Sequence, residues 1–151
     1  MDPVRVLRSD ETYVRKFRLY GRKTIFKFNH PPAGFNELDW VRQGFAQLVN
    51  EMKQEATGSN DYLGFTLRSL SFKNKEPGYV AFRPVSLVNE DVLWEIFGSI
   101  IQSNEESLTS SDTFTVECTR VSLPVGSGFK KGGILQQFQR RIPCTDGYYY
   151  D

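Results

Sequence analysis

The sequence is nearly without the side chains on which most catalysis and metal binding depend. It holds one histidine, His30, and two cysteines, Cys118 and Cys144. A lone imidazole beside Pro31 and Pro32 supplies neither a histidine pair for a nuclease centre nor a ligand set for zinc, so His30 reads as a turn residue. One histidine also leaves no acid–histidine–cysteine arrangement to assemble. Cys118 falls in an alternating segment and reads as a small buried hydrophobe, while Cys144 lies between Pro143 and Thr145. Two cysteines are too few for a disulfide framework, and the expectation is a reducing intracellular setting, nuclear or cytoplasmic. Apolar runs are only a few residues long, which excludes a helix that crosses a bilayer. The opening Met1-Asp2-Pro3-Val4-Arg5 lacks the apolar stretch of a secretory signal. No metal, no cofactor and no catalytic set is expected.

Charge is also scarce in sum, at +1 over 151 residues, yet it is unevenly spread. Arg5, Arg8, Arg15, Lys16, Arg18, Arg22, Lys23 and Lys27 crowd the first 30 residues against Asp2, Asp10 and Glu11. Lys130, Lys131, Arg140 and Arg141 make a second basic cluster. A chain that is neutral overall and basic at one end has a natural anionic partner at that end, although basic residues also protect strand edges from aggregation. Aromatic residues, in contrast, are abundant at 14%, with 12 Phe and 7 Tyr. They imply a Phe-rich core, a flat face with exposed rings, or both.

The order of elements follows from periodicity. Residues 1–12 read as an irregular N-terminal arm. Phe17, Leu19, Ile25, Phe26 and Phe28 alternate with basic residues, giving either one long bent strand or a short hairpin turning at Tyr20-Gly21-Arg22. His30-Pro31-Pro32-Ala33-Gly34 stops that strand, because two prolines remove donors and disfavour helix before them. Phe35, Leu38, Val41, Phe45, Leu48, Val49 and Met52 then recur at helical spacing for about five turns, closed by Gly58-Ser59-Asn60. Tyr62 to Phe72 and Tyr79 to Val85 read as a hairpin around the turn Lys73 to Gly78. Ser86 or Asn89 caps a second helix striped by Val88, Val92, Leu93, Ile96, Phe97, Ile100 and Ile101. After a polar loop, Phe114, Val116, Cys118 and Val121 form a half-buried last strand.

Strand, helix, strand, strand, helix, strand predicts an α+β, ferredoxin-like βαββαβ domain over 13–124, a four-stranded antiparallel sheet with two helices on one face. Residues 125–151 read as a Gly-rich basic tail or linker. Its Gly126 to Gly133 segment fails the patterns of phosphate-cradling loops and reads as a basic hinge. The face without helices is the natural working surface. A loose echo of the RNA-recognition motif runs from Lys75 to Phe82. Strand alternation puts Tyr79, Ala81 and Arg83 on one face and Val80 and Phe82 on the other, which assigns Phe82 to the core and leaves Tyr79 with Arg83 as a stacking point.

The blocks Asp61-Tyr62-Leu63-Gly64-Phe65, Ala81-Phe82-Arg83-Pro84-Val85-Ser86-Leu87, Ile101-Gln102-Ser103-Asn104 and Val121-Ser122-Leu123-Pro124-Val125-Gly126-Ser127-Gly128 resemble the N-terminal region of Maverick/Polinton-type proteins related to virus-like, protein-primed B-family DNA polymerases. The catalytic acids of such polypeptides lie far downstream, so none is carried over to this chain. The resemblance implies an accessory, non-catalytic domain of a mobile-element or viral DNA-replication protein. The expected partner is DNA or RNA, met by phosphate-facing Arg15, Arg18, Arg22, Lys23, Lys27, Lys130 and Lys131, with Tyr79 and Arg83 for stacking. The alternative expectation is a protein-interaction or homodimerisation domain that uses the open sheet face or an edge, or docks further domains of a larger polypeptide.

Overall fold

A strand surface and a helix surface, both rich in phenylalanine, meet in the core of the computed structural model, which describes residues 2–15, 19–56, 61–69, 72, 76–102 and 114–122. Five strands are described, β1 (Val4–Val14), β2 (Leu19–Phe28), β3 (Asp61–Arg68), β4 (Gly78–Pro84) and β5 (Thr115–Ser122). Helix α1 (Glu37–Glu55) joins β2 to β3, and α2 (Glu90–Gln102) joins β4 to β5. The strands form one sheet in the order β1-β2-β5-β3-β4, with every neighbouring pair antiparallel.

This α+β architecture corrects the sequence reading in three places. Residues 4–14 are a strand rather than an arm. Their charges hid the pattern, since an edge strand has one free side and tolerates Arg5, Arg8, Asp10 and Glu11 there. The hairpin reverses between Val14 and Leu19, and Gly21 lies within β2, opposite Thr12 and Val121. The third correction is topological. A ferredoxin-like sheet has the first and third strands of its βαββαβ set as central neighbours. Here the set is β2 to β5, and the central neighbours are its second and fourth strands, β3 and β5. The sheet is therefore five-stranded and not ferredoxin-like in order.

Both helices form where their periodicity places them. The Asn36 side chain caps α1 by accepting a hydrogen bond from the Asp39 amide at 3.1 Å, and Glu37 and Asp39 complement the helix dipole in the first turn. At α2 the cap is Asn89, whose Oδ1 accepts from the Asp91 amide at 3.0 Å. The buried stripe of α1 is Trp40, Val41, Gly44, Phe45, Leu48, Val49 and Met52, while Phe35 and Leu38 stay exposed. Trp40 takes their place. Its indole donates to the Asn29 carbonyl at 2.8 Å and fixes the start of the helix to the end of β2.

The core is an aromatic relay across the two layers. Phe28 of β2 stacks on Phe114 at 4.8 Å and meets Phe45 of α1 edge-on at 5.7 Å. Phe97 of α2 packs on Phe45 at 5.6 Å and on Phe114 at 5.7 Å. Each such pair adds about 0.5–1.5 kcal/mol beyond the area it buries. Both helices thus lie on one face of the sheet. The approach of α1 is close enough that a Cβ on Gly44 would run into the Phe28 ring and within 3.1 Å of Val4. Phe28 is itself held by Phe114 and Phe45, so it has little room to yield. Gly44→Ala should therefore cost roughly 1–3 kcal/mol despite the better helix propensity of alanine. Gly98→Ala, where no atom lies within 4 Å of the added carbon, should gain up to about 1 kcal/mol. Urea unfolding of the two variants checks both signs.

Candidate functional site

Antiparallel pairing decides which side chains share a face, because residues directly opposite one another point the same way. The helix face carries Phe26, Val116 and Leu67 in one row, and Thr24, Cys118 and Phe65 in the next. Further along it lies Arg22, opposite Arg120, which is opposite Leu63. The other face carries the rows Arg5, Lys27, Thr115, Arg68 and Arg8, Ile25, Glu117, Thr66, Tyr79. A third row there is Asp10, Lys23, Thr119, Gly64.

Two bulges set this arrangement. In β1 the register shifts between Val6 and Arg8, leaving Leu7 as the extra residue. In β4 it shifts so that Val80 faces Phe65 and Arg83 faces Leu63, two intervening residues against one. A single extra residue reverses the facing of everything beyond it. Arg83 therefore lies on the helix side and Tyr79 on the other, which separates the expected stacking pair. The same bulge corrects Phe82. Its ring covers Gly64, where an added Cβ would come within 3.1 Å, so it lies half-buried on the side away from the helices. Tyr79 stays 56% exposed.

The face away from the helices is not a bare platform at its centre. Ile25, Thr66, Thr115, Glu117, Thr119 and Val121 are all buried, which withdraws β3 and β5 from base stacking. Lys23 is 7% exposed and pairs with Glu117 at 2.5 Å. The other oxygen of that carboxylate lies 3.8 Å from Arg68 Nε. Lys23 is therefore an internal countercharge and not a phosphate contact. Arg22 is on the helix face, where its Nε donates to Ser9 Oγ at 2.8 Å. Lys27 is half-buried and Arg15 exposed. Arg18, Lys130 and Lys131 lie outside the described residues, as does the Gly-rich segment.

Sequence reasoning counted Arg5 and Arg8 in the N-terminal basic cluster without giving them a face, and it overlooked Arg68. Arg5 stands opposite Lys27 and donates to the Asn29 side chain. Arg8 is on the same face and ion-pairs with Asp10. The missed signal was the identity of residues 4–14 as a strand, without which neither arginine has a face. On the helix side, Asp61 is buried against Arg120 at 3.5 Å and accepts from Ser122 Oγ at 2.7 Å, which ties the start of β3 to the end of β5. Among the described residues, no cluster of three or more His, Cys, Asp or Glu is placed to hold a metal ion. Nor is any described helix long and apolar enough to cross a membrane. His30 is exposed in the loop before α1.

Burial shifts one group strongly. Desolvation pushes the Cys118 thiol well above its usual 9.0, helped by the nearby Glu55 and Glu117 charges and opposed by Arg120. Tyr20 is also raised, because its hydroxyl donates to Glu11 at 2.9 Å. Comparison with known proteins identifies no relative: no family model, curated protein or solved structure matches the chain.

Glu117→Gln leaves the Lys23 ammonium buried without its countercharge and should destabilise by roughly 3–5 kcal/mol. Asp91→Asn removes an exposed pair, Arg42 to Asp91 at 3.0 Å, and should cost no more than about 1 kcal/mol. Denaturant titration separates the two. The Cys118 shift has a definite sign. A folded-state pKa above the unfolded value stabilises fully below the unfolded pKa and loses that contribution as pH rises through the folded one. The urea midpoint should therefore fall more steeply above pH 9.0 in the parent protein than in Cys118→Ala.

Proposed function

We propose that the chain is a non-catalytic accessory domain of a DNA-replication polypeptide of mobile-element or viral type, which holds nucleic acid by its phosphates on the outer strand pair β1–β2. The observation that carries this reading is the register of that pair. It puts Arg5 beside Lys27, with Arg8 on the same face and Arg15 exposed just beyond the end of β1. Among the described strand residues the acids on this face are Asp10 and Glu117, and Glu117 pairs with Lys23 and Arg68. The excess is positive where a backbone could run.

The contact is electrostatic rather than base-reading. Tyr79 is four strand spacings from β1, about 19 Å at ~4.8 Å per strand, and the rows between them are buried. A single strand held by Arg5, Arg15 and Lys27 is bound through its phosphates with little discrimination among bases. The resemblance of the blocks in 61–128 supports the setting, a replication polypeptide inside the cell.

Titrating a labelled single-stranded oligonucleotide at several salt concentrations tests this. With three phosphate contacts, log affinity should fall against log salt with a slope of about −2. Arg5→Gln combined with Lys27→Gln should shallow that slope by roughly 1.4 and weaken binding of all sequences alike. No binding at low salt, or an unchanged slope in the double variant, overturns the reading.

A further inference from the structure

Among the described strands β1 is an edge of the sheet, 11 residues long, with Arg5, Ser9, Asp10, Glu11 and Tyr13 exposed. A long edge strand is a template for pairing with another chain unless its charges forbid it. Here the charges select a partner. The strand carries Arg5 and Arg8 in its first half and Asp10 and Glu11 in its second, so it is electrostatically complementary to a copy of itself turned end for end.

We propose that β1 pairs antiparallel with β1 of a second copy of this chain, about a two-fold axis at Ser9, joining the two sheets edge to edge. The register follows from sign and face together. Opposed residues must share a face, and beyond the Leu7 bulge Arg8, Asp10 and Thr12 lie on the side away from the helices, while Ser9 and Glu11 lie on the helix side. Centring the axis on Arg8 or on Asp10 sets a like charge against itself, and centring it on Glu11 does the same. Centring it on Ser9 sets Arg8 against the partner's Asp10, and by symmetry does so twice. The Arg8–Asp10 pair already present along the strand becomes a four-charge cluster across the axis. Opposite charges directly across strands stabilise the pairing, and like charges oppose it. An isologous interface of this kind closes at two subunits and leaves β4 as the outer edge at both ends.

Sedimentation over a range of protein concentrations should show a monomer–dimer equilibrium. Asp10→Arg, which places four like charges about the axis, should weaken the dimer by roughly tenfold or more, the equivalent of about 1.4 kcal/mol. Arg8→Asp should do the same by symmetry. The double variant, Arg8→Asp with Asp10→Arg, restores opposite charges in the same register and should recover the dimer. Circular dichroism of each single variant separates loss of pairing from loss of fold. A protein that stays monomeric at every concentration overturns the proposal. So does a dimer indifferent to the single reversals, or one that the double reversal fails to rescue.

Discussion

Insertion of β5 between β2 and β3 is the constraint on which the rest of this molecule depends. β2 and β3 run parallel to one another, since each is antiparallel to β5, and two parallel strands cannot be joined by a turn. Until the last described strand arrives, the β1–β2 and β3–β4 pairs are separate hairpins with helices attached, and isolated hairpins are marginal in water. β5 closes both halves. It gives Val116 and Cys118 to the core and Glu117 to the Lys23–Arg68 cluster on the opposite side. Its Arg120 and Ser122 fasten Asp61 at the start of β3. Such pairing between distant segments is paid in loop entropy before it returns anything, so topologies of this kind fold more slowly than local ones.

The same insertion explains why the chemistry of the sheet differs on its two sides. The helix face is apolar around Phe28 and Phe114 and becomes polar toward Asp61 and Arg120. The opposite face has a central ion cluster, in which the Glu117 carboxylate meets both Lys23 and Arg68. A buried ion pair contributes little to net stability over apolar packing, but losing one partner is costly. What remains positive lies on β1 and β2, outside the closed centre. There the Leu7 bulge determines that Arg8 and Asp10, rather than Ser9 and Glu11, share a face with Arg5 and Lys27.

Much of the scaffold was legible from local pattern. The apolar stripe of α2, the body of α1, the strand character of β3, β4 and β5, and the burial of Cys118 all follow from spacing. The failures have a common cause. β1 was hidden because an edge strand needs no apolar alternation. Trp40 was passed over because its anchor, the Asn29 carbonyl, is not adjacent in sequence. Phe82 and Arg83 were placed on the wrong faces because a bulge leaves no mark in the residues that form it, beyond a Gly64 that fits beneath a ring. Lys23 counted as a surface cation because its partner lies far along the chain, at Glu117.

By itself the sequence determined the two helices, the strands other than β1, and which side chains are apolar enough to form the core, since propensity and periodicity act within a few residues. Only the tertiary structure decided strand order, the two shifts of register and the fate of each basic residue. Those depend on which strand lies alongside which, and a one-residue offset in that pairing turns a solvent cation into a buried one. The basic β1–β2 face is thus a product of register, though its charges were visible from the start.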